Sequence, residues 1–369
     1  DAPRCILMWR SFTHWIGGMG VLVFIMAVMP LSDSSSMHLM RAESPGPSVG
    51  KLVPKVKTTA MILYGIYVVF TVIEIIALLI AGMPLFDSMT LTFGTVGTGG
   101  FGLLNSSIAS YSTAVQIIIT VFMIICSINF TVYYMFLIKR PKEALMCEEM
   151  RYYLLIVFGS ALLIAFNIRA SFASFGKAFQ QAIFQVASVI STTGFATADF
   201  NLWPEFSRMI LVLLMFVGAC AGSTGGGFKV SRLIIMVKSV RNEIMSVTHP
   251  RSVQKVHMDG RRIPDNVVKT VLCYLAGYVV ILIVSVLLIS LDNFDMTTNF
   301  TAVMATFNNV GPGLNRVGPT GNFGGFSVLS KLVLMFDMLV GRLELYPMLV
   351  IFAPGLWRIH PHRHVGKVQ

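Results

Sequence analysis

The chain has 369 residues, 55% of them hydrophobic and only 12% charged, which is about half the charged share of an ordinary soluble domain. Several apolar runs reach about 20 residues, enough to cross roughly 30 Å of hydrocarbon, and this excludes a soluble fold. The net charge of +11 could suit nucleic acid, but basic loops gathered on one side of a membrane produce it equally well, so lipid rather than nucleic acid is the expected partner.

Asp1 is preceded by no initiator Met or signal peptide, as in a fragment or a restarted numbering. Spanning helices are expected at 10–29, 58–81, 113–138, 152–170, 207–240, 267–291 and 329–353, with 207–240 interrupted by glycines. Apolar stretches too short to span lie at 85–94, 177–190 and 297–307. Segments of that length are typically re-entrant or buried. Basic residues gather in the loop 31–57, around 139–151, between 229 and 269, and in the tail. All four fall on one side if each unit is helix, re-entrant segment, helix, and the positive-inside rule makes that side cytoplasmic. The expected fold is therefore an all-α polytopic membrane protein of repeated helix–pore-loop–helix units around one pore. Its segments are 1–57 (last helix of a first unit, and a loop), 58–140, 141–250 and 251–369. The five cysteines, Cys5, Cys126, Cys147, Cys220 and Cys273, show no metal spacing and read as buried free thiols.

Each short apolar segment ends in a glycine turn. The first is Thr95-Val96-Gly97-Thr98-Gly99-Gly100-Phe101, the second Ser191-Thr192-Thr193-Gly194-Phe195, the third Asn308-Asn309-Val310-Gly311-Pro312-Gly313. Glycine permits dihedrals that aim successive carbonyls the same way, and a ring of carbonyls can replace a cation's hydration shell. A lone glycine turn would simply join two helices. Three at matching places in three repeats point to a filter, and Thr95 to Gly99 is one letter from the potassium-channel filter. The expected ion-binding residues are Val96, Gly97, Thr98, Gly99, Gly100, Thr192, Thr193, Gly194, Asn309, Val310 and Gly311.

Gly218-Ala219-Cys220-Ala221-Gly222-Ser223-Thr224-Gly225-Gly226-Gly227 lies in the middle of 207–240. Helix packing of the GxxxG kind needs fewer glycines, so a mobile gate is the favoured reading. It is not a phosphate-binding loop, because Lys229 follows Phe228 and no strand precedes it. Arg342 sits inside an apolar helix, where a charge is expensive and faces a cavity or a partner. It reads as a positive charge limiting cation flux, or as a structural ion pair with Asp337, Glu344 or Glu74. Glu74 reads as an arginine's partner, with proton-coupled symport as the alternative. Asn129 is placed between helices or toward the pore, and His14 at the interface. No catalytic constellation is present, so no enzyme is expected.

At these motifs the sequence resembles the membrane subunit of the Trk/Ktr/HKT potassium transporter superfamily, nearest its bacterial TrkH/TrkG branch, over essentially the whole chain. The markers are Trp15-Ile16-Gly17-Gly18-Met19-Gly20, Arg41-Ala42-Glu43 with Gly46-Pro47, the three turns, the glycine-rich loop with Phe228-Lys229, and Gly341-Arg342-Leu343-Glu344. The resemblance implies four helix-pore-helix repeats, the first incomplete here, and filter glycines at Gly100, Gly194 and Gly311. It also implies a gating loop over Gly218–Gly227 and a pore-obstructing Arg342. Potassium at the filter is the implied ion, without an organic cofactor. A homodimer in the bacterial inner membrane, docked to a cytosolic nucleotide-binding RCK subunit of TrkA or KtrA type, is the implied assembly. A less selective K⁺/Na⁺ conductor is the alternative within transport. Secondary transport of an organic solute is the alternative class, but it predicts inverted repeats, whereas these share one orientation.

Overall fold

The structure, a computed structural model, describes residues 3–20, 56–249, 254–343 and 345–351. The markers Arg41-Ala42-Glu43 and Gly46-Pro47, the Glu344 partner and the basic tail lie outside the described residues, as does the second half of the helix expected at 10–29. The described part of that helix, α1, runs from Arg4 to Gly18.

Three units then repeat one order. Each begins with a long apolar helix: α2 (Val56–Ile80), α7 (Glu148–Ile168) and α11 (Asp265–Ile289). Each continues with a short helix: α3 (Leu85–Val96), α8 (Phe175–Ile190) and α12 (Met296–Phe307). Local chemistry starts the short helices. Pro84 precedes α3, the Ser174 hydroxyl accepts from Lys177 N at 3.3 Å, and Asp295 accepts from Thr298 N at 2.9 Å, so orphan amides of the first turn are satisfied. A turn follows, then a second helix.

That second helix is broken in all three units. The first unit has α4 (Thr113–Cys126), α5 (Phe130–Leu137) and the short α6 (Pro141–Met146). Here α4 and α5 are bent by 88°, against the single span expected over 113–138. Asn129 causes the restart: its Oδ1 accepts from Thr131 N at 2.9 Å and caps α5. The second unit has α9 (Glu205–Val217) and α10 (Val230–Thr248), separated by the glycine-rich loop. The third has α13 (Val328–Arg342) and α14 (Leu345–Ile351), where one span was expected over 329–353. Among the described residues, Thr58–Ile80, Glu148–Ser171 and Asp265–Asp292 are long and apolar enough to cross a membrane, with α4 and α5 a fourth span if taken together.

Among the described residues, the basic stretch after α10 also carries the one departure from an all-helical fold. His257–Met258 (β1) pairs antiparallel with Arg261–Arg262 (β2). Asp259 and Gly260, both at positive φ, make the two-residue turn, the Asp-Gly signature of a tight hairpin.

Packing inside the second unit uses small residues. Ala161 and Ala165 of α7 meet Ala178 and Ala182 of α8 in a fully buried cluster that includes Tyr153 and Val157. The opposite side of α7 exposes Leu155, Leu163 and Phe166, as lipid in place of water permits. The α1 helix is fastened to α2 by polar groups: Tyr67 donates to the Trp15 carbonyl at 2.8 Å, and Trp15 Nε1 donates to Thr71 Oγ1 at 3.0 Å. Of the cysteines, Cys126 and Cys220 are buried as expected, whereas Cys5 and Cys273 are exposed on the isolated chain.

Gly341 lets α13 lie directly on the end of α12, since a Cβ there would stand 1.7 Å from the Phe307 carbonyl oxygen. Gly65, inside α2, meets nothing within 4 Å. Gly341→Ala should therefore cost about 1–3 kcal/mol by overpacking and lower the melting temperature of detergent-purified protein. Gly65→Ala should leave it unchanged or raise it, through a helix propensity gain of about 1 kcal/mol.

Candidate functional site

The three short helices end in one backbone motif. Thr98, Thr192 and Asn309 each adopt a left-handed conformation, with φ of 55°, 58° and 56°. Two residues later Gly100, Gly194 and Gly311 do so again, with φ of 64°, 86° and 100°. The hydrogen bonds repeat as well. Gly94 O accepts from Gly99 N at 2.7 Å and Gly100 N at 3.2 Å; Ser188 O accepts from Thr193 N at 3.0 Å and Gly194 N at 3.3 Å; Ala305 O accepts from Val310 N at 2.8 Å and Gly311 N at 3.4 Å. Every turn thus sends its amides back into its own helix, which leaves its carbonyls facing away. Among the described residues, none of the carbonyl oxygens of Gly99, Gly100, Thr193, Gly194, Val310 and Gly311 accepts a hydrogen bond.

The turns touch in sequence order. A Cβ on Gly100 would lie 1.9 Å from the Thr193 carbonyl oxygen, and one on Gly194 would lie 2.2 Å from that of Val310. The corresponding side of Gly311 meets nothing within 4 Å, so the arc is open there. The carboxyl ends of α3, α8 and α12 all point into this arc, each carrying about half a negative charge from its macrodipole. A cation is the ligand such an arrangement favours.

Val96 and Gly97 fall outside the motif. Val96 is the last residue of α3 and is fully buried, and Gly97 is the right-handed C-cap. The Gly97 carbonyl takes a hydrogen bond from His14 Nε2 at 3.0 Å and lies 2.7 Å from Thr98 Oγ1, whose single hydrogen it competes for with the Thr224 carbonyl. The likeness of Thr95–Gly99 to a potassium-channel filter is therefore out of register, and the turn itself is Thr98–Gly100.

The loop between α9 and α10 crosses directly against all three turns. The Thr224 carbonyl accepts from Thr98 Oγ1 at 2.9 Å, and Gly226 N donates to Thr192 Oγ1 at 2.6 Å. A Cβ on Gly225 would stand 2.8 Å from the Ser191 carbonyl oxygen, and one on Gly226 would stand 2.7 Å from that of Asn308. Close backbone approach, rather than flexibility alone, accounts for the glycine run. Gly218 ends α9 at φ 68°, and Gly227 lies against it at φ 81°. Ser223 donates to the Cys220 carbonyl at 2.6 Å. The break between α4 and α5 receives the other side of the loop: Cys220 N donates to Ser127 O at 3.0 Å, Phe130 N donates to Gly222 O at 3.0 Å, and Thr224 Oγ1 donates to Cys126 O at 3.1 Å.

Arg342, in the last turn of α13, reaches across the same space. Its guanidinium donates to the carbonyls of Gly17 at 2.8 Å, Gly18 at 3.1 Å and Thr224 at 3.1 Å. It thus joins α13 to the carboxyl end of α1 and to the crossing loop. Of the ion partners expected from sequence, Glu344 lies outside the described residues, Asp337 accepts from Ser285 Oγ at 2.7 Å, and Glu74 is fully buried beside Thr95. A cavity of about 710 Å³ runs from Thr98, Thr192 and Gly311 to Arg342.

His14, expected at the interface, lines that cavity, packed edge-on to Phe101 with ring centroids 5.2 Å apart. Asn129 caps α5 beneath the loop and also hydrogen-bonds across to Glu149 at the start of α7, as expected of a residue between helices. Glu149, which sequence reading passed over, accepts from Ala221 N at 2.7 Å; its only sequence signal is a second acid at the start of a span.

Comparison with known proteins agrees with this geometry. The family model for TrkH, described as a cation transport protein, matches residues 1–359. The Trk system potassium uptake protein TrkH of Salmonella typhimurium is 35% identical over 364 residues, covering 96% of this chain and 74% of the relative. The Trk system potassium uptake protein TrkG of Escherichia coli is 31% identical over 360 residues, with the same coverages. The crystal structure of the potassium transporter TrkH from Vibrio parahaemolyticus superposes with a TM-score of 0.83 at 32% identity, over 97% of this chain and 74% of that one. This multi-pass membrane chain belongs to the TrkH family of cation transport proteins, a family of transporters rather than enzymes.

Proposed function

We propose that the chain carries potassium into the cell through the arc of turn carbonyls, with the ion as cargo and no organic cofactor. The observation that carries this reading is the set of six turn carbonyls without donors among the described residues, at the focus of three helix carboxyl ends. A backbone carbonyl at membrane depth is tolerated without a partner only where it lines a watery path, and carbonyl rings are what replaces a potassium ion's water. The names of the relatives agree with it. Thr98, Gly99, Gly100, Thr192, Thr193, Gly194, Asn309, Val310 and Gly311 form the filter in this reading, and a fourth turn set against Gly311 would close it.

The loop Gly218–Gly227 and Arg342 form the obstruction. The loop crosses against the filter, and the arginine presents a fixed positive charge in the same cavity. The membrane is the bacterial inner membrane, with the basic loops cytoplasmic. A cytosolic nucleotide-binding RCK subunit and a second copy of the chain are the expected partners. The exposed Val237, Val240, Ile244 and Val247 of α10, spaced as a heptad seam on a helix too polar to be a lipid span, support a paired assembly.

Three outcomes test the reading. Gly194→Ser should reduce rubidium uptake about tenfold, corresponding to about 1.4 kcal/mol in barrier, and should increase competition by sodium, because the new side chain collides with the Val310 carbonyl. Unchanged selectivity with serine at Gly100, Gly194 and Gly311 alike would remove the turns from the filter. Arg342→Ala should raise uptake per inserted molecule at unchanged selectivity. Repulsion of a cation about 4 Å from the guanidinium is on the order of 4 kcal/mol at an effective dielectric of about 20, and half of that exceeds tenfold in rate. Lower uptake at normal expression would contradict the obstruction. Shortening the loop within Gly222–Gly227 should raise basal flux; normal insertion with unaltered flux would make the loop a packing element.

A further inference from the structure

We propose that Glu149 is a positioning residue that latches the Gly218–Gly227 loop across the pathway, and that Glu148 joins this latch to the exposed hairpin His257–Arg262. The proposal rests on the reading of the loop as a gate.

Glu149 lies in the first turn of α7 and is 3% exposed. A carboxylate so buried is costly unless hydrogen-bonded. Its Oε1 accepts from Ala221 N at 2.7 Å and from Ser231 N at 3.2 Å. Those two amides stand on opposite sides of Gly222–Gly227, so one oxygen ties the entry of the loop to its exit. The geometry at Ser231 is that of a cap supplied from another helix. Lys229, at the N-cap of α10, contributes no side-chain cap, and a carboxylate at a helix amino end is favoured by the orphan amides and the macrodipole. Lys229 is itself buried at positive φ. Its ammonium donates to the Gly225 carbonyl and interacts electrostatically with Glu149. Glycine backbones lose more conformational freedom on ordering than any other residue. A loop with this many of them needs fixed partners at its ends to stay in one path, and Glu149 supplies them.

Glu148, the adjacent residue, faces the hairpin. Its backbone N donates to Asp259 Oδ1 at 2.7 Å, and its carboxylate pairs with Lys238 of α10. Lys238 Nζ also donates to the His257 carbonyl at 2.7 Å. The hairpin turn, the amino end of α7 and the helix leaving the loop therefore meet at two consecutive glutamates. A displacement of the hairpin moves the first turn of α7, and Glu149 with it.

The test is rubidium uptake per inserted molecule, with sodium competition, in proteoliposomes bearing the full-length protein. Glu149→Ala is made in the intact chain and in the chain with the loop shortened within Gly222–Gly227. In the intact chain basal flux should rise about tenfold at unchanged selectivity, a population shift within reach of losing charge-assisted hydrogen bonds. In the shortened chain the same substitution should add nothing, because the element it holds is gone. Glu149→Gln keeps an acceptor oxygen and should give a smaller rise, about threefold on the same scale; it replaces the alanine variant if that one does not insert. Asp259→Ala should also raise flux, and should add nothing to Glu149→Ala. Flux raised by the shortened loop but untouched or lowered by both Glu149 variants overturns the latch alone. An equal effect of Glu149→Ala in both chains also overturns it and leaves a purely structural carboxylate. Unchanged flux for Asp259→Ala overturns the link to the hairpin. Flux unaltered by the shortened loop overturns the gate reading and the latch with it.

Discussion

Inside a membrane a backbone carbonyl has no water to turn to, and most of this structure can be understood as a response to that constraint. Each turn uses its amides within its own helix, through pairs of bonds to Gly94, Ser188 and Ala305, and so leaves a matching set of oxygens without donors. Left-handed residues at alternate positions accompany this, and the left-handed position nearest the neighbouring turn has to be glycine. The three long helices act as walls that hold the short helices with their carboxyl ends converging.

The same constraint explains why the second helix of every unit is broken. A break releases amides and carbonyls that must be satisfied elsewhere. The break after Cys126 gives its carbonyls to Cys220 and Thr224 of the crossing loop, and the loop returns its Gly222 carbonyl to Phe130. The carboxyl end of α1 gives the carbonyls of Gly17 and Gly18 to Arg342. The interruptions are therefore mutually dependent: the loop is held by one broken helix, by the arginine of another, and by a carboxylate at the start of a third. The loop thus has several separable attachments, which on the proposed reading of it as a gate would allow opening under a modest bias.

Legibility in the sequence followed from how local each signal was. Long apolar runs, short apolar runs and glycine turns are contiguous, so the order of elements and the three-fold repeat could be read directly. The break at Ser127-Ile128-Asn129 could not, because it interrupts a largely apolar segment, and the one at Leu343, between Arg342 and Glu344, sits where the charges themselves suggested only a buried ion pair or a pore-facing arginine. Val96 and Gly97 were assigned to the filter by a letter match, whereas the backbone motif starts at Thr98. His14 carried no sign of a place in the cavity, because it reaches Gly97 across 83 residues of chain. The hairpin at 257–262 was missed although its Asp-Gly turn was in plain view.

By itself the sequence determined the membrane class, the helix–turn–helix repeat, and the residue types at the turns and in the glycine-rich loop, since these depend on hydropathy and backbone conformation over a few residues. Only the tertiary structure decided which carbonyls are left without donors, that the loop passes against all three turns, and that Arg342 bonds to the backbone of Gly17, Gly18 and Thr224. Each of these depends on contacts between units far apart in the chain, where the partners are main-chain groups that every residue carries and no side-chain pattern announces.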